Sequence, residues 1–316
     1  MTYGFGYKGS KSQIADKIIN FLPQANTLYD LFGGGGAITH CAALSSKYDR
    51  VVYNDSGDCA KLFEWAVDGI YKHTDPMRFI TREMFFAEKD TNPFVKYEWS
   101  FGNNGKDYLY GKNIEQYKHC LHNAVVYSDM EGLNQLLSID VPVFDDVKGL
   151  KERRLKYRRL FEGRGRTYQQ LQHLQHLERL QRLERLQHLQ HLERLQRLER
   201  LQHLQHLERL EIHNKSYSSF TITEGVIYCD IPYINTQAGC YAGFNHEAFY
   251  NWAENQKVPV YISEYNMPSD RFECVWSTPK RQLSTSKGTG KLVNECIFVP
   301  KKQIKKGIIK NGCKKM

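Results

Sequence analysis

The stretch "VIYCDIPY" at 226–233 joins a strand-like run to groups that can bind a ligand. Residues 226–228 are β-formers in a short apolar run, which predicts a buried strand. Pro232 has no N–H group and favours an extended conformation for the residue before it, so we expect the strand to end there. Asp230 and Tyr233 would then lie at the carboxyl end of a strand, where open α/β sheets place their ligand-binding crevice.

A second candidate is the glycine-rich stretch "DLFGGGG" at 30–36, which follows the strand-like "TLYD" and precedes the helical "AITHCAALSS". It lacks the dinucleotide fingerprint because Ile38 stands where that pattern needs glycine or alanine, which disfavours a hydride-transfer enzyme. The glycines would let the backbone approach a ligand without a pyrophosphate; a tight structural turn is the alternative. Asp55 ends a second strand, "RVVYND", about 20 residues later, the place of a carboxylate that binds ribose hydroxyls.

The elements around these residues predict a Rossmann-like, doubly wound α/β sheet. An amphipathic helix is predicted in "SKSQIADKIINFLP", and the alternation resumes near residue 220 with "VIYCDIPY", "HEAFYNWAENQ" and "VPVYIS". We expect one catalytic domain from residues 1–70 and 220–300, with a large inserted region at 71–219 and a basic tail at 301–316.

The insertion contains a repeat: "LQHLQHLERLQRLER" fills 171–185 and again 186–200, and "LQHLQHLERL" follows to residue 210. Three residues turn an α-helix by ~300°, so leucine at every third position slips ~60° per step and cannot form an ordinary two-stranded seam. The composition favours a helix, although "LERLEIHN" also resembles a leucine-rich repeat turn. Histidine alternates with arginine at equivalent positions, so we interpret 171–210 as a spacer and expect no metal site.

The bulk composition excludes several classes of protein. A hydrophobic content of 41% with 25% charged residues is typical of a globular chain. No apolar run approaches the ~20 residues that span a bilayer, and the first residues lack the apolar core of a secretory signal. The eight cysteines are scattered without a C-x-x-C pair, which favours a reducing compartment. We expect a cytoplasmic protein without a membrane partner.

The formal charge of +9 is concentrated in local clusters. Residues 151–166, "KERRLKYRRLFEGRGR", carry eight basic and two acidic side chains, and 301–316 carry seven lysines and no acid. Such clusters fit a polyanion, most simply nucleic acid. A solvated helix face with a disordered tail is the alternative.

Three blocks, in order, resemble the S-adenosylmethionine-dependent DNA adenine-N6 methyltransferases, and more narrowly their Dam-like D12 class of phages and bacteria. "YKGSKSQI" (7–14) is similar to the N-terminal block of that family and "DLFGGGG" (30–36) to its D/E-x-F-x-G-G-G loop. "DIPY" (230–233) resembles its D-P-P-Y catalytic motif, and "VPVYISEYN" (258–266) a later strand. The insertion takes the place of the target-recognition region of the family.

The resemblance implies that an adenine is flipped out of duplex DNA. Its amine would donate to the Asp230 side chain and to the carbonyl group of Ile231, and its base would stack on Tyr233. The family has proline where this chain has Ile231, but Pro232 still restrains that residue; an altered or decayed enzyme is the alternative. Around the methyl donor, the resemblance places Tyr7, Lys11, Asp30, Phe32, Gly34 and Asp55.

Two further expectations concern DNA. Phosphate contacts are expected from the arginines of the basic segment, and Lys11 could contact DNA rather than the cofactor. Those arginines are Arg153, Arg154, Arg158 and Arg159.

The rival functions differ in the groups that they need. Cytosine-C5 methylation uses a Pro-Cys nucleophile, and no proline here precedes a cysteine. An N4-cytosine enzyme usually carries serine at the position of Asp230. RNA or protein amide methylation shares the motif, while the basic insertion favours a long polyanion. A DNA-binding protein with a decayed methylase core is the non-enzymatic rival. The recognised site, and whether the protein serves restriction–modification or acts as an orphan phage methylase, stay open.

Overall fold

The chain divides into two compact units in a computed structural model, which describes residues 2–138, 140–144, 147, 149–161, 189–233, 243–281 and 292–309. The first unit comprises residues 1–72 and 197–316, and the second comprises 73–196. Several segments singled out in the sequence lie outside the described residues: 162–166 of the basic segment, 171–188 of the repeat, and 310–316 of the tail.

A mixed sheet organises the first unit. Its strands follow the order β3-β2-β1-β4-β5-β7-β6; neighbours from β3 to β5 are parallel, and β7 runs antiparallel to both β5 and β6. The strands are β1 (Thr27–Asp30), β2 (Arg50–Asn54), β3 (Leu210–His213), β4 (Val226–Asp230), β5 (Val260–Glu264), β6 (Phe272–Arg281) and β7 (Leu292–Pro300).

The helices are short in both units. In chain order, those within the described residues are α1 (Ala15–Phe21), α2 (Ala37–Leu44), α3 (Cys59–Asp68), α4 (Arg82–Glu88), α5 (Pro93–Glu98), α6 (Glu115–Tyr127), α7 (Glu131–Leu137), α8 (Leu150–Phe161), α9 (Gln190–Leu201), α10 (His246–Asn255) and α11 (Lys301–Lys305). Single 3₁₀ turns lie at Ile70–Lys72, Phe101–Asn103, Gln202–His206 and Tyr217–Ser219.

Both faces of the sheet are covered. Leu28, Tyr228 and Tyr261 pack on one face with the apolar side chains of α1 and α2. Ile227 and Cys229 point to the other face and pack with α10. Side chains alternate between the two faces of a strand, so successive residues of one strand pack in different clusters. Because both faces are buried, the strand sequences are apolar at nearly every position. Helices on both faces of a mostly parallel sheet confirm the predicted α/β class.

The alternation also sets where the acids at the strand ends point. Asp30 is the register partner of Tyr228, and Asp230 is the partner of Ser263. Side chains two residues apart along a strand share a face, so Asp30, Asp230 and Ser263 all lie on the α1 and α2 side. The carboxyl ends of β1, β4 and β5 therefore present polar groups to the loop before α1.

The local predictions for the first unit are confirmed. The helix in "SKSQIADKIINFLP" is α1, the segment after the glycine loop is α2, and "HEAFYNWAENQ" forms α10. The strands in "TLYD", "RVVYND", "VIYCDIPY" and "VPVYIS" are β1, β2, β4 and β5. Each carries an apolar pattern that is readable within one element.

One strand departs from the sequence pattern. The sequence pattern places residues 71–219 in the insertion. Strand β3 lies within that range and pairs with β2, from Val51↔Leu210 to Asn54↔His213. As a structural unit the insertion ends at Gln196. The four residues of β3, "LEIH", do alternate between apolar and polar, but so short a run directly after a helical repeat does not by itself mark a strand. Pairing with the edge of β2 stabilises it.

The described end of the repeat is mostly helical, as its composition predicts. Helix α9 covers Gln190–Leu201, and a 3₁₀ turn covers Gln202–His206. Since the stripe slips ~60° per step, burial on one face alone would leave some leucines exposed. Instead, the six leucines in and directly before these two helical segments are all buried: Leu189, Leu192, Leu195, Leu198, Leu201 and Leu204. The next two, Leu207 and Leu210, are partly buried.

The second unit has its own core and a buried polar chain. Leu121, Val125, Leu133 and Tyr157 pack with Leu192 in that core. The polar chain runs through two histidines. Tyr110 Oη lies 2.9 Å from His191 Nδ1, and His191 Nε2 lies 2.8 Å from His122 Nδ1. His122 Nε2 lies 2.8 Å from the Met77 carbonyl oxygen. Neutral histidines satisfy this chain if each donates through Nε2.

The glycine loop is packed closely against the protein itself. A Cβ atom at Gly33 would lie 2.2 Å from the Tyr53 ring, and one at Gly36 would lie 2.1 Å from the Phe63 ring. Gly36 also has φ +70°, a conformation that side chains with Cβ rarely adopt. These two glycines are therefore required by the turn and by ring packing, whatever ligand the loop binds.

We predict that Gly36→Ala destabilises the protein well beyond Gly307→Ala. Gly307 has φ +71° and nothing within 4 Å of an added Cβ, so both variants incur the left-handed strain of about 1–2 kcal/mol. Gly36→Ala adds a clash with Phe63 that costs roughly 1–3 kcal/mol more. Denaturant titrations measure the two free energies of unfolding. Equal losses in the two variants would show that ring packing does not constrain the loop.

Candidate active site

The carboxyl end of β4 holds a buried ion pair. Lys11, in the loop before α1, places its Nζ 2.6 Å from Oδ1 and 2.6 Å from Oδ2 of Asp230. The Lys11 side chain is 3% exposed, whereas that of Asp230 is 21% exposed. Lys11 Nζ also donates to the Gly9 carbonyl oxygen at 3.2 Å. One end of the pair is thus enclosed, while the carboxylate keeps an accessible edge.

A second carboxylate shares the ammonium group. Glu295 Oε1, on β7, lies 3.9 Å from Lys11 Nζ and belongs to a fully buried residue. Burial by itself lowers the pKa of Lys11, but the Asp230 and Glu295 carboxylates outweigh it and raise that pKa above its usual value. Lys11 is therefore a permanent cation at this edge of the sheet.

The ring of Tyr233 lies beside the pair. Lys11 Nζ is 4.9 Å from the ring centroid, and the ring of Tyr265 meets that of Tyr233 edge-on at 4.6 Å. The Tyr233 hydroxyl group donates to Glu295 Oε1 in a short hydrogen bond, and Ser263 Oγ donates to the same oxygen at 2.9 Å. An accessible carboxylate and a held aromatic ring are thereby adjacent.

The two residues between Asp230 and Tyr233 have separate tasks. The Ile231 side chain is buried in the cluster on the α10 side, away from the face that Asp230 occupies. The position therefore holds an apolar side chain that packs in the core. His246, at the start of α10, lies with its Nε2 2.7 Å from the Pro232 carbonyl oxygen and donates to it. This bond holds the turn after β4.

Asp30 is buried and holds helix α2. Its Oδ2 accepts from Thr39 Oγ1 at 2.7 Å and from Thr39 N at 3.2 Å. Burial raises the pKa of Asp30 to about 7, against the opposing effect of the Thr39 hydroxyl group. Its Oδ1 is buried without a hydrogen-bond partner in the part of the chain that the structure describes. A buried carboxylate oxygen in this state suits a cationic donor.

Asp55 follows β2 and holds the glycine loop. Its Oδ2 accepts from Gly34 N at 2.9 Å, and its Oδ1 accepts from Gly57 N at 2.8 Å. Burial raises the pKa of Asp55, and these backbone donors oppose the rise. The Tyr53 hydroxyl group donates to the Gly34 carbonyl oxygen at 2.8 Å. The loop is therefore held from both sides by β2 and the residue after it.

The two remaining predicted cofactor residues are aromatic. The Tyr7 ring lies against Gly34, within 3.0 Å of the position of an added Cβ. Phe32 belongs to a partly buried aromatic group, with ring centroids 5.3 Å from Tyr217 and 5.7 Å from Phe244. The structure thus joins Lys11, Asp230 and Tyr233 in direct contact, and Tyr7, Gly34 and Asp55 in a second group. Asp30 is buried at the end of β1, and Phe32, two residues further on, is partly buried.

The basic segment in the second unit divides into two kinds of arginine. Arg153 Nη1 donates to the Val125 carbonyl oxygen at 2.9 Å and to Ser128 Oγ at 3.3 Å. Arg154 pairs with Glu193 at 2.9 Å and is largely buried. Arg158 is half-buried and Arg159 is exposed. Phosphate contact stays a prediction for these arginines, with Arg159 the most accessible and Arg153 already used in holding α6.

Sequence reasoning missed four residues of the site. Glu295 meets Tyr233, and His246 meets Pro232, only in the tertiary structure. Ser263 meets Glu295, and Thr39 meets Asp30. Glu295 had one visible signal, an acid at an alternating position in the apolar run "LVNECIFVP". An acid on a buried strand needs a partner, which could have marked it as a candidate.

The fold and one family comparison both point to a methyltransferase. The mostly parallel seven-stranded sheet is consistent with a methyltransferase fold, with acids at the carboxyl ends of β1, β2 and β4. Residues 7–73 match the family model described as D12 class N6 adenine-specific DNA methyltransferase. The matched residues include the N-terminal block, the glycine loop and Asp55, and end well before 230–233.

This match supports the family predicted from the sequence blocks: residues 7–73 are similar to the D12 class, which supports an adenine-specific DNA methyltransferase. Methylation by this family implies S-adenosylmethionine as methyl donor and DNA as substrate. A search of curated proteins finds no match. Within the described ranges, no helix is long and apolar enough to cross a membrane, and no cluster of three potential metal ligands occurs.

We predict that Asp30 makes folding stability fall with rising pH. Its pKa rises from 3.8 unfolded to about 7 folded, so the folded state binds the extra proton between those values. Stability is then lost as the pH rises through about 7, by an amount on the order of 3 kcal/mol. Asp30→Asn can still accept from Thr39 but does not titrate. Denaturant titrations from pH 5 to pH 8 should show the wild type losing stability relative to this variant.

The control for this prediction is Asp58→Asn, which removes an exposed carboxylate near the same edge of the sheet. Its stability curve should run parallel to that of the wild type. If the Asp30→Asn curve is also parallel, the Asp30 side chain is not the source of the pH dependence.

We predict that Arg159→Gln weakens binding to all DNA sequences and lowers the salt slope of binding by about one, because one phosphate contact is lost. Arg153→Gln is the matched variant in the same helix. It should instead reduce the free energy of unfolding by roughly 1–3 kcal/mol, because the Val125 carbonyl oxygen loses its charged donor. Fluorescence anisotropy at several salt concentrations measures the slopes. An unchanged slope for Arg159→Gln would favour the solvated-face alternative.

Proposed function

We propose that this protein transfers the methyl group of S-adenosylmethionine to N6 of an adenine that is turned out of duplex DNA. The observation that carries the proposal is the junction of Asp230, Lys11 and Tyr233 at the carboxyl end of β4. It places an accessible carboxylate beside an aromatic ring, the two groups that an exocyclic amine and its base require.

The amine is the nucleophile, and Asp230 orients it. A carboxylate offers about four lone-pair sites, so Asp230 can keep its bond to Lys11 and accept from the amine at its exposed edge. The Ile231 carbonyl group is the second acceptor by resemblance to the family. Two acceptors fix the direction of the amine protons, which leaves the nitrogen lone pair directed at the methyl group. Transfer would form the N–C bond as the S–C bond of the sulfonium breaks, which releases the demethylated thioether. The methylated nitrogen would then lose one of its two protons to solvent along the exposed edge of Asp230.

Tyr233 holds the base. Stacking on an aromatic ring offsets part of the few kcal/mol that turning a base out of a duplex costs. Burial first, and then the charges of Asp230 and Glu295, raise the pKa of Tyr233 well above its ordinary value. The ring therefore stays a neutral phenol, and it can stack without adding a negative charge next to Asp230.

The residues fit the methyl donor. S-adenosylmethionine supplies an electrophilic methyl group next to an ammonium, a carboxylate and a ribose. Asp30 presents a buried Oδ1 that can accept from the ammonium group. Asp55 lies at the end of β2, where a carboxylate binds ribose hydroxyls in related sheets. By resemblance to the family, Tyr7, Lys11, Phe32 and Gly34 complete the surroundings of the methyl donor.

The wider setting follows from the same proposal. A target-recognition role for the second unit is supported by the basic residues of α8, with the repeat as a spacer within the inserted region. The setting is the cytoplasm of a bacterial or phage-infected cell, in restriction–modification or as an orphan methylase.

We predict that Asp230→Ala abolishes methyl transfer while leaving cofactor binding largely intact, because Asp230 contacts the amine more than the donor. Purified protein is incubated with unmethylated plasmid DNA and methyl-labelled cofactor, and the modified nucleoside is identified by mass spectrometry. Calorimetry measures cofactor affinity. Activity equal to that of the wild type would contradict the catalytic role assigned to Asp230.

The charge of Lys11 needs its own control. In Asp230→Ala the ammonium group loses its partner at 2.6 Å and retains Glu295 at 3.9 Å, which could disturb folding. The double variant Lys11→Met/Asp230→Ala removes that charge as well. It should fold and remain inactive. Wild-type protein without transfer and without a saturable cofactor site would instead support the decayed-core alternative.

A further inference from the structure

We infer that Glu295 is a positioning residue for methyl transfer, which fixes the Tyr233 ring through the ring's hydroxyl group. The inference rests on the proposed function, in which Tyr233 stacks on the target base. Glu295 is remote in sequence from the three blocks that carry the family resemblance. It enters the site only because β7 runs between β5 and β6.

The register of the strands places Glu295 beside the site. Ser263 of β5 is the register partner of Ile297 of β7, and Glu295 lies two residues before Ile297 on the same face. Ser263 is also the register partner of Asp230. The Glu295 side chain therefore reaches the row of side chains that ends in Asp230, although the two carboxylates lie on strands separated by β5.

One carboxylate oxygen of Glu295 accepts two hydrogen bonds. Oε1 accepts from the Tyr233 hydroxyl group and, at 2.9 Å, from Ser263 Oγ. Because Tyr233 keeps its proton and a carboxylate has none to give, the direction of donation is settled. Hydrogen bonds to a charged acceptor are roughly twice as strong as neutral ones. The far end of the Tyr233 ring is thus fixed to β7 while its near end is fixed by the turn after β4.

The ring is held on other sides as well. Tyr265 packs against it edge-on at 4.6 Å, and Lys11 Nζ lies 4.9 Å from its centroid. A ring that is already fixed loses less rotational freedom when a base stacks on it. A small misplacement of a group that positions a substrate can cost about 10²-fold in rate. Glu295 therefore contributes by holding the ring ready rather than by touching the substrate.

Four variants separate this role from a general effect of charge. Glu295→Leu removes the acceptor, and Glu295→Gln keeps an amide oxygen that can still accept. Tyr233→Phe removes the hydroxyl group from the other side of the bond and keeps the ring. The double variant Tyr233→Phe/Glu295→Leu tests whether the two residues act through one contact, because such changes are not additive.

The kinetic experiment measures single-turnover methyl transfer to plasmid DNA at saturating DNA and cofactor. We expect Glu295→Leu to slow transfer at least roughly tenfold, with cofactor affinity unchanged within about twofold. Glu295→Gln should recover part of the rate. Tyr233→Phe should lose about as much as Glu295→Leu, and the double variant should lose little more than either. Losses that multiply in the double variant would overturn the inference.

A spectroscopic arm reports on the ring without activity. The protein is labelled with 3-fluorotyrosine, and the Tyr233 signal among the 20 tyrosines is the one missing from Tyr233→Phe. That signal should shift or broaden in Glu295→Leu, which removes the acceptor, and less in Glu295→Gln, which keeps one. If it is unchanged, Glu295 does not hold the ring.

Gln303→Met is the matched structural control. Gln303 is fully buried, and its Oε1 accepts from Val260 N at 3.0 Å at the opposite end of β5. This variant should lower stability without changing the transfer rate per folded molecule or the Tyr233 signal. The inference fails if Gln303→Met slows transfer as much as Glu295→Leu. If the wild-type protein is inactive, the proposed function itself is wrong. If the wild type is active and Glu295→Leu transfers methyl groups at the same rate, only the inference about Glu295 is wrong.

Discussion

The buried ammonium group of Lys11 is the constraint on which the site depends. A buried cation costs several kcal/mol unless it is paired, and here Asp230 and Glu295 supply the pairing. Its partners come from β4 and β7, and Lys11 itself comes from the loop before α1. That loop is tied to the glycine loop by Phe5 N, which donates to the Gly35 carbonyl oxygen at 2.9 Å. The same ion pair therefore assembles the edge of the sheet and places a carboxylate next to Tyr233.

The acids at neighbouring strand ends divide the work. Asp30 holds helix α2 through Thr39, Asp55 holds the glycine loop through Gly34 and Gly57, and Asp230 holds Lys11. Three carboxylates at one edge repel each other, and burial adds to the cost of their charges. A cationic ligand relieves that cost at Asp30, and an amine donor fits the exposed edge of Asp230. The arrangement favours a positively charged cofactor and a nucleophile that donates hydrogen bonds.

Much of the first unit was readable from local pattern. Helices α1 and α2 and strands β1, β2, β4 and β5 each carry their own periodicity, and the motif residues follow directly in sequence. Glu295, Ser263 and His246 were not readable, because their contacts depend on which strands become neighbours. The antiparallel entry of β7 between β5 and β6 has no local signature. For the same reason, a basic run predicted phosphate contacts, whereas Arg153 donates to the carbonyl group of a neighbouring helix.

The repeat separates what sequence alone determines from what tertiary structure decides. His191 and His206 occupy equivalent positions in identical units, yet His191 is buried and hydrogen-bonded to His122, and His206 is exposed. Burial lowers the pKa of His191 well below its usual value, so its chemistry differs from that of its copy. The sequence by itself determined the helical tendency of the repeat, the strands around the motifs and the identity of the acids at their ends. Long-range packing decided which copy of a residue is buried and which acid pairs with Lys11. Local sequence cannot specify these contacts, because the partners are distant along the chain.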